Sequence, residues 1–212
     1  MYDILYLVIT LTYERNIYMN NCPFCKLDTV SIANTIIEET ENFYITPSLG
    51  SLVEGYLLII NKSHINSMAE LNEIQKKEYS DILEKYRDIF FNIYGRYPII
   101  FEHGTSPLSP TNSSSSVIHA HTHIVNHNYK DEKSILELLN FQKFNSLDFQ
   151  LNKNYIFYIN PKGYSYISYE FQPTSQIMRL FIAKDLDIEN KYNWKEHQFT
   201  ENIIKTLKRL QN

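Results

Sequence analysis

The sequence has no long basic run. Its 20 lysines and arginines are outnumbered by 24 aspartates and glutamates, for a net charge of −4. That balance removes any general electrostatic reason to bind nucleic acid, while local basic spots stay compatible with an anionic small molecule. No hydrophobic run is long enough to cross a membrane. The stretch ILYLVITLTY (4–13) falls far short of the roughly 20 residues a spanning helix needs. Asp3 stands where a secretion signal would carry positive charge, and no small-residue cleavage site follows. Residues 1–19 are therefore expected to be a leader or an added strand, with Met19 an alternative start, and the cytoplasm is the expected location. Cysteine is limited to Cys22 and Cys25, in CPFC. Two cysteines three positions apart build no disulfide framework. They suit a metal site, redox chemistry or a plain reduced pair. The redox reading needs a strand before the motif and a helix starting at it, but Asn20 and Asn21 precede it and no clean helix follows. Glycine is scarce, at 5, and no internal repeat is visible.

What is abundant is apolar and aromatic side chain, 43% and 14% of 212 residues. That buries a real core in one domain, or in one domain with a substantial extension. β-like runs occupy 34–39, 42–46 and 55–61. A long helix follows, with Asn72 and Gln75 as a capping box, Ile82, Leu83, Tyr86, Ile89, Phe90 and Ile93 as its apolar stripe, and Gly95 as its stop. YPIIFEHG (97–104) reads as a buried strand. The polar stretch TSPLSPTNSSSS (105–116) reads as a loop, and VIHAHTHIVN (117–126) as another strand. A helix near 131–140, a hairpin YIFYI-NPKG-YSYISY with a Pro-Lys-Gly turn, and helices near 174–186 and 200–211 complete the chain. Strands and helices mix without βαβ alternation, which predicts an α+β fold with an antiparallel sheet.

The chemistry concentrates in SSSSVIHAHTHIVNH (113–127), which holds four of the seven histidines. On a strand, His119, His121 and His123 share a face, with the outer two about 13 Å apart. That span is too long for three imidazoles to share one ion easily, so the three are expected to divide roles, while Val117, Ile124 and Val125 supply the core. Ser115 and Ser116 place small residues and hydroxyls at the mouth of the same strand. Such donors beside neutral imidazoles suit phosphoryl transfer. A solvated serine linker is the bland alternative.

HAHTHIV is similar to the His-φ-His-φ-His-φ-φ signature of the histidine triad (HIT) superfamily of nucleotide hydrolases and transferases, with Thr122 at a φ position. CPFC, GYLLIINKSHINSMAEL, the long helix, IIFEHG and the triad follow the order of its zinc-binding bacterial branch over residues 20–127. SQIMRLFIAKDL and YNWKEH resemble the C-terminal extension of larger HIT-like and CwfJ-type proteins. The resemblance implies a HIT-like antiparallel sheet with a long packed helix in residues 20–140. It also implies a hairpin-and-helices extension in 141–212, packed on that domain. It implies His121 as a nucleophile that forms a nucleotidyl-histidine, with His123 at the phosphate or leaving group. Ser116 with Ser115, and Asn112, would bind phosphate. Cys22, Cys25, His64 and His119 would form a structural zinc site, a closed Cys2His2 set. The ligand would be a small-molecule nucleotide, with a homodimer left open.

Two departures bear on specificity. TPSLGSLVEGY puts Pro47 and Gly55 where relatives carry ribose-gripping acidic and histidine residues. The third triad position is His123 rather than the Gln of the uridylyltransferase branch, which favours hydrolysis over transfer. A nucleotidyltransferase, or a non-catalytic zinc-stabilised nucleotide-binding module, are the alternatives. In the tail, Gln176 and Arg179 open a helix suited to an anion. His103 either faces the site or is a hydrogen-bonded structural histidine. Glu102 reads as strand-end polar, and Lys62, His127 and His197 as surface residues.

Overall fold

The computed structural model describes residues 22–27, 31–108, 114–172 and 174–211. The apolar stretch at 4–13 and Asn112 lie outside them. Eight strands form one antiparallel sheet in the order β1-β2-β3-β5-β4-β7-β8-β6. They are β1 (Glu38–Glu39), β2 (Phe43–Pro47), β3 (Tyr56–Asn61), β4 (Ile99–Gly104), β5 (His121–Val125), β6 (Gln142–Lys143), β7 (Tyr155–Ile159) and β8 (Ser165–Ser168). The helices are α1 (Glu73–Tyr94), α2 (Glu132–Leu138), α3 (Ile177–Asp185) and α4 (Thr200–Leu210). The fold is α+β. The 155–168 hairpin continues the same sheet, because β7 pairs with β4 from Ile100↔Ile159 to Gly104↔Tyr155.

Every residue of β3, β4 and β5 is buried, so the centre of the sheet is covered on both faces. On one face α1 packs Tyr79, Ile82, Leu83, Tyr86 and Phe90 against Ile45, Leu57, Ile59, Ile100 and Ile124. Burying each such side chain contributes roughly 1.5–3 kcal/mol. The expected capping box is present: Gln75 N–H donates to Asn72 Oδ1 at 2.9 Å and Asn72 N–H to Gln75 Oε1 at 3.1 Å. Gly95 closes the helix at φ 68°, a left-handed conformation that glycine adopts without steric cost. On the other face α2 and α3 cover Tyr56, Leu58, Phe101, Val125, Ile156 and Tyr158. Val125 therefore shares the face of His121 and His123 rather than the opposite one.

Three sequence expectations shift. The run 34–39 is a strand only at Glu38–Glu39, because residues 32–34 form a 3-10 turn capped by Ser31. The triad strand begins at His121, so His119 lies before it, in bent chain. There Ala120 N–H donates to Ile65 O at 2.7 Å and Asn61 N–H to Ala120 O at 3.2 Å, which turns residues 117–120 aside. The helix expected from about 174 starts at Ile177, after Gln176 in a left-handed conformation (φ 61°) with no side-chain cap.

The last helix, α4, is tied to the β2–β3 loop. Asn202 Nδ2 donates to Ser51 O at 2.8 Å, and Gly55 N–H to Thr206 Oγ1 at 2.8 Å. That loop borders the cavity described next. Among the described residues no helix is long and apolar enough to cross a membrane.

Candidate functional site

A cavity of about 250 Å³ opens at the His121 end of β5, lined among others by His103, Ser116, His121, His123, Arg179 and Trp194. Ser115 and Gln176 also line it. The CPFC segment, the 31–34 turn, β2 and β3 with the loop between them, β4, the 115–123 segment and the tail all meet there. His121 is buried, and its Nδ1–H donates to His119 O at 2.7 Å. A carbonyl only accepts, so this bond fixes the tautomer and leaves Nε2 with its lone pair. Burial holds His121 down at about 4, against a smaller upward pull from the His119 bond. Its ring is therefore neutral near pH 7. His123 is stacked on Phe101, with ring centres 4.5 Å apart. It shares a 3.0 Å hydrogen bond through Nδ1 with Tyr56 Oη. Burial, then the neighbouring His121, His103 and Arg179, hold its pKa well below the ordinary value. Thr122 points to the opposite face, where its Oγ1 shares a 2.7 Å hydrogen bond with Tyr79 Oη. The polar residue at an apolar triad position is thereby satisfied in the core.

Cys22, Cys25, His64 and His119 form a second cluster, with their ligand atoms all within 4.8 Å of one another. His119 Nδ1 is 3.4 Å from Cys22 Sγ, 3.6 Å from Cys25 Sγ and 3.2 Å from His64 Nδ1. Tetrahedral bonds of about 2.0–2.3 Å set ligand atoms roughly 3.3–3.8 Å apart, so the set fits a metal ion. The tautomer fits too. His119 Nε2–H donates to Asn61 O at 2.6 Å, which leaves the Nδ1 lone pair toward the cluster, the usual outer support of a ligating histidine. Burial and then Cys22 push the Cys25 thiol up to about 11, a cost that a bound cation reverses. His119 belongs to this cluster because it leaves the strand; it is absent from the cavity lining.

The tail residues reach the cavity, but with side chains already engaged. Arg179, 3% exposed, donates from Nη2 to Gly50 O at 2.7 Å and from Nε to Tyr192 O at 3.1 Å. Its guanidinium lies 5.3 Å from the centre of the Tyr56 ring. Gln176 brackets the 193–194 segment: its Nε2 donates to Asn193 Oδ1 at 3.1 Å and its Oε1 accepts from Trp194 N–H at 3.2 Å. Trp194 Nε1–H donates to Ser116 Oγ at 2.9 Å, and Ser115 Oγ donates to Val117 O at 2.6 Å. At Gly50 a Cβ would lie 2.5 Å from both Arg179 Nη2 and Trp194 Cβ. Only glycine allows that approach. Trp194 and Tyr56 were not singled out from sequence as site residues; the signals were that Trp194 is the sole tryptophan and stands in the YNWKEH stretch that resembles the extension of CwfJ-type proteins.

The remaining residues divide plainly. His103 lines the cavity. Glu102 is fully buried rather than at a strand end in water. It accepts from Met68 N–H at 2.8 Å and Tyr155 Oη–H at 2.6 Å, and burial pushes its carboxyl up to about 7. His127 is buried, not on the surface, and bonds Asp185 Oδ2 through Nε2 at 3.0 Å, away from the cavity. Lys62 pairs with Glu39 at 2.6 Å, outside the cavity lining. His197 is half-buried and likewise outside it.

No curated protein matches the sequence. Solved structures are similar over about half of the chain. A hypothetical protein from Leishmania major is 23% identical, covering 54% of this chain and 77% of its own, with a TM-score of 0.42. A HIT family hydrolase from Clostridium thermocellum is 22% identical, covering 53% and 96%, with a TM-score of 0.40. A zinc-bound histidine triad family protein from Mycobacterium smegmatis is 18% identical, covering 54% and 80%, with a TM-score of 0.42. Residues 12–125, more than half of the chain, match the family described as "Protein similar to CwfJ C-terminal", and the chain belongs to that family.

Proposed function

We propose that the protein hydrolyses a nucleotidyl phosphoanhydride, phosphoester or phosphoramidate bond through a nucleotidyl-histidine intermediate on His121. One observation carries the reading. His121 is buried at the cavity with Nδ1–H committed to His119 O, so its neutral Nε2 is a nucleophile of fixed tautomer. In the first step Nε2 attacks the α-phosphorus. The N–P bond forms, and the bond from phosphorus to the leaving group breaks with the electron pair leaving on that group. The imidazole becomes cationic, and the His119 carbonyl, still accepting from Nδ1–H, stabilises it. Water then attacks phosphorus, the N–P bond breaks, and a nucleoside monophosphate is released with neutral His121 restored.

His123 contacts the phosphate or the leaving group from the same face. Ser116, whose Oγ accepts from Trp194 and keeps its own O–H, offers a hydroxyl to the phosphoryl oxygens; Ser115 joins it on turning its hydroxyl from Val117 O, and Arg179 and Gln176 bring the tail to the same cavity. Asn112 belongs with the phosphate donors by sequence position. Cys22, Cys25, His64 and His119 are the residues that would hold zinc. When bound, zinc supplies a fixed cross-link between the CPFC segment, His64 and His119, not a contact to substrate. His119 stands between the two clusters: its ring belongs to the metal set while its carbonyl orients the nucleophile. The free thiols suit a reducing compartment such as the cytoplasm. Residues 141–212 act as an extension that completes the sheet and closes the cavity.

The test is product formation from a panel of nucleoside phosphoramidates, dinucleoside polyphosphates and nucleotidyl phosphoesters, with wild type and His121→Ala compared. The reading expects monophosphate release by wild type, lost by orders of magnitude in the variant. Product that appears only when an acceptor alcohol or phosphate is supplied would move the assignment to a transferase. Nucleotide binding with no turnover would leave a binding module.

A further inference from the structure

His103 lies in β4 beside the triad and has no role in the chemistry above. Phe101 and His103 sit on one face of β4, and His121 and His123 on the same face of β5. The ladder between these strands runs from Ile99↔Val125 to Phe101↔His123 and ends there. Antiparallel continuation would set His103 opposite His121, where the strands part and the cavity begins. The His103 and His123 ring centres are 6.3 Å apart. The backbone of His103 is held from the other side by β7, opposite Ile156. The ring is therefore placed by the sheet rather than by a loop.

Its Nε2 is the unusual atom. His103 is 6% exposed, and Nε2 has no hydrogen-bond partner among the described residues. The other buried polar atoms in that condition belong to Asn61, Ser67, Tyr94 and Ser168, none of which lines the cavity. A buried nitrogen left unpaired is costly unless something else satisfies it. The neighbouring histidines each have a committed ring nitrogen: His119 and His121 on carbonyls, His123 on Tyr56. The missing partner of His103 is thus on the cavity side. Phosphoryl oxygens only accept, so a partner of that kind requires the Nε2–H tautomer.

We propose that His103 is a substrate-binding residue, its Nε2–H donating a hydrogen bond to an oxygen of the phosphoryl group that His121 attacks; this rests on the function proposed above. Burial, then His121 and Arg179, hold the free ring down at about 3, so it enters as a neutral donor.

The experiment uses full-length zinc-loaded protein with histidine labelled in nitrogen-15, adenosine monophosphate and inorganic phosphate as probes, and three proteins: wild type, His103→Phe and His103→Gln. Phenylalanine keeps the ring and removes the orphan nitrogen; glutamine restores an N–H donor. His103→Phe is expected to melt at or above the wild-type temperature, because no internal bond is lost. It should bind adenosine monophosphate roughly 10-fold more weakly and lose about 10- to 100-fold in kcat/KM, with partial recovery in His103→Gln. In wild type the His103 Nε2 resonance should move on adding either probe. Wild-type turnover together with unchanged affinity and kcat/KM in His103→Phe overturns the proposal, as does a His103 resonance that neither probe perturbs. A lower melting temperature in both variants with unchanged kcat/KM makes His103 structural and overturns it too. If wild type forms no product while probe binding still depends on His103, the hydrolytic reading falls and His103 stands as a phosphate ligand.

Discussion

Replacing Arg179 by alanine tests how the tail closes the site. The guanidinium donates to Gly50 O at 2.7 Å and to Tyr192 O at 3.1 Å, both from a buried position. Each bond to a charged donor is worth roughly 1.5–3 kcal/mol. Truncation removes both and leaves two carbonyls to find other partners, while the cost of burying the cation is recovered. The net expectation is about 3 kcal/mol lost. For a chain of this size that corresponds to roughly 6–12 °C in Tm. Lysine should recover about half at most, because its single ammonium head cannot reproduce a fork bridging two carbonyls. The assay is urea unfolding followed by tryptophan fluorescence. Trp194 is the sole tryptophan and lies in the cavity wall, so the native signal also reports whether the 193–194 segment has left that wall. An unchanged midpoint, slope and native emission in Arg179→Ala would show that the guanidinium does not hold the tail to the β2–β3 loop.

Other expectations follow from the same geometry. Glu102 should make stability pH-dependent: its carboxyl sits at about 7 when folded, against an ordinary 4.5, because of burial. The unfolded chain releases that proton first, so stability falls as pH rises from about 4.5 through 7, by about 3 kcal/mol. Tyr155 and Tyr79 face the same carboxylate and stay protonated across this range. Glu102→Gln should lack this slope, so the difference in stability between the two proteins should itself fall across this pH range, while the opposing slope of the buried histidines, common to both, cancels. Parallel curves for the two proteins would refute this. Cys25→Ser or His64→Ala should reduce metal content from about one zinc per chain and lower the melting temperature together; elemental analysis beside calorimetry checks it, and metal-free protein that melts unchanged contradicts it.

The central sheet was legible because its chemistry is local. Alternation placed His121 and His123 on one face, and the Asn72–Gln75 box marked the start of α1. His119 was not legible as a residue off the strand. The bonds that bend the chain there come from Asn61 and Ile65, more than 50 residues earlier. The metal set spans Cys22 to His119, and spacing alone left CPFC open to other chemistry; the family resemblance supplied the partners, and the structure brings all four together. Glu102 looked like a strand-end acid because its partners, Met68 and Tyr155, lie far away in the sequence. The tail was half legible. Arg179 and Gln176 were expected near the site as anion ligands, and they line it. Their hydrogen bonds, however, run to Gly50, Tyr192, Asn193 and Trp194, which no periodicity reveals.

The most direct test of the central claim is intact-protein and peptide mass spectrometry after rapid acid-free quenching of the reaction with a nucleotidyl substrate. The account predicts a transient mass increase equal to one nucleoside monophosphate, mapped to His121, absent from His121→Ala while zinc content is retained. A wild-type protein that turns over without the adduct, or an adduct that persists in His121→Ala, would contradict it.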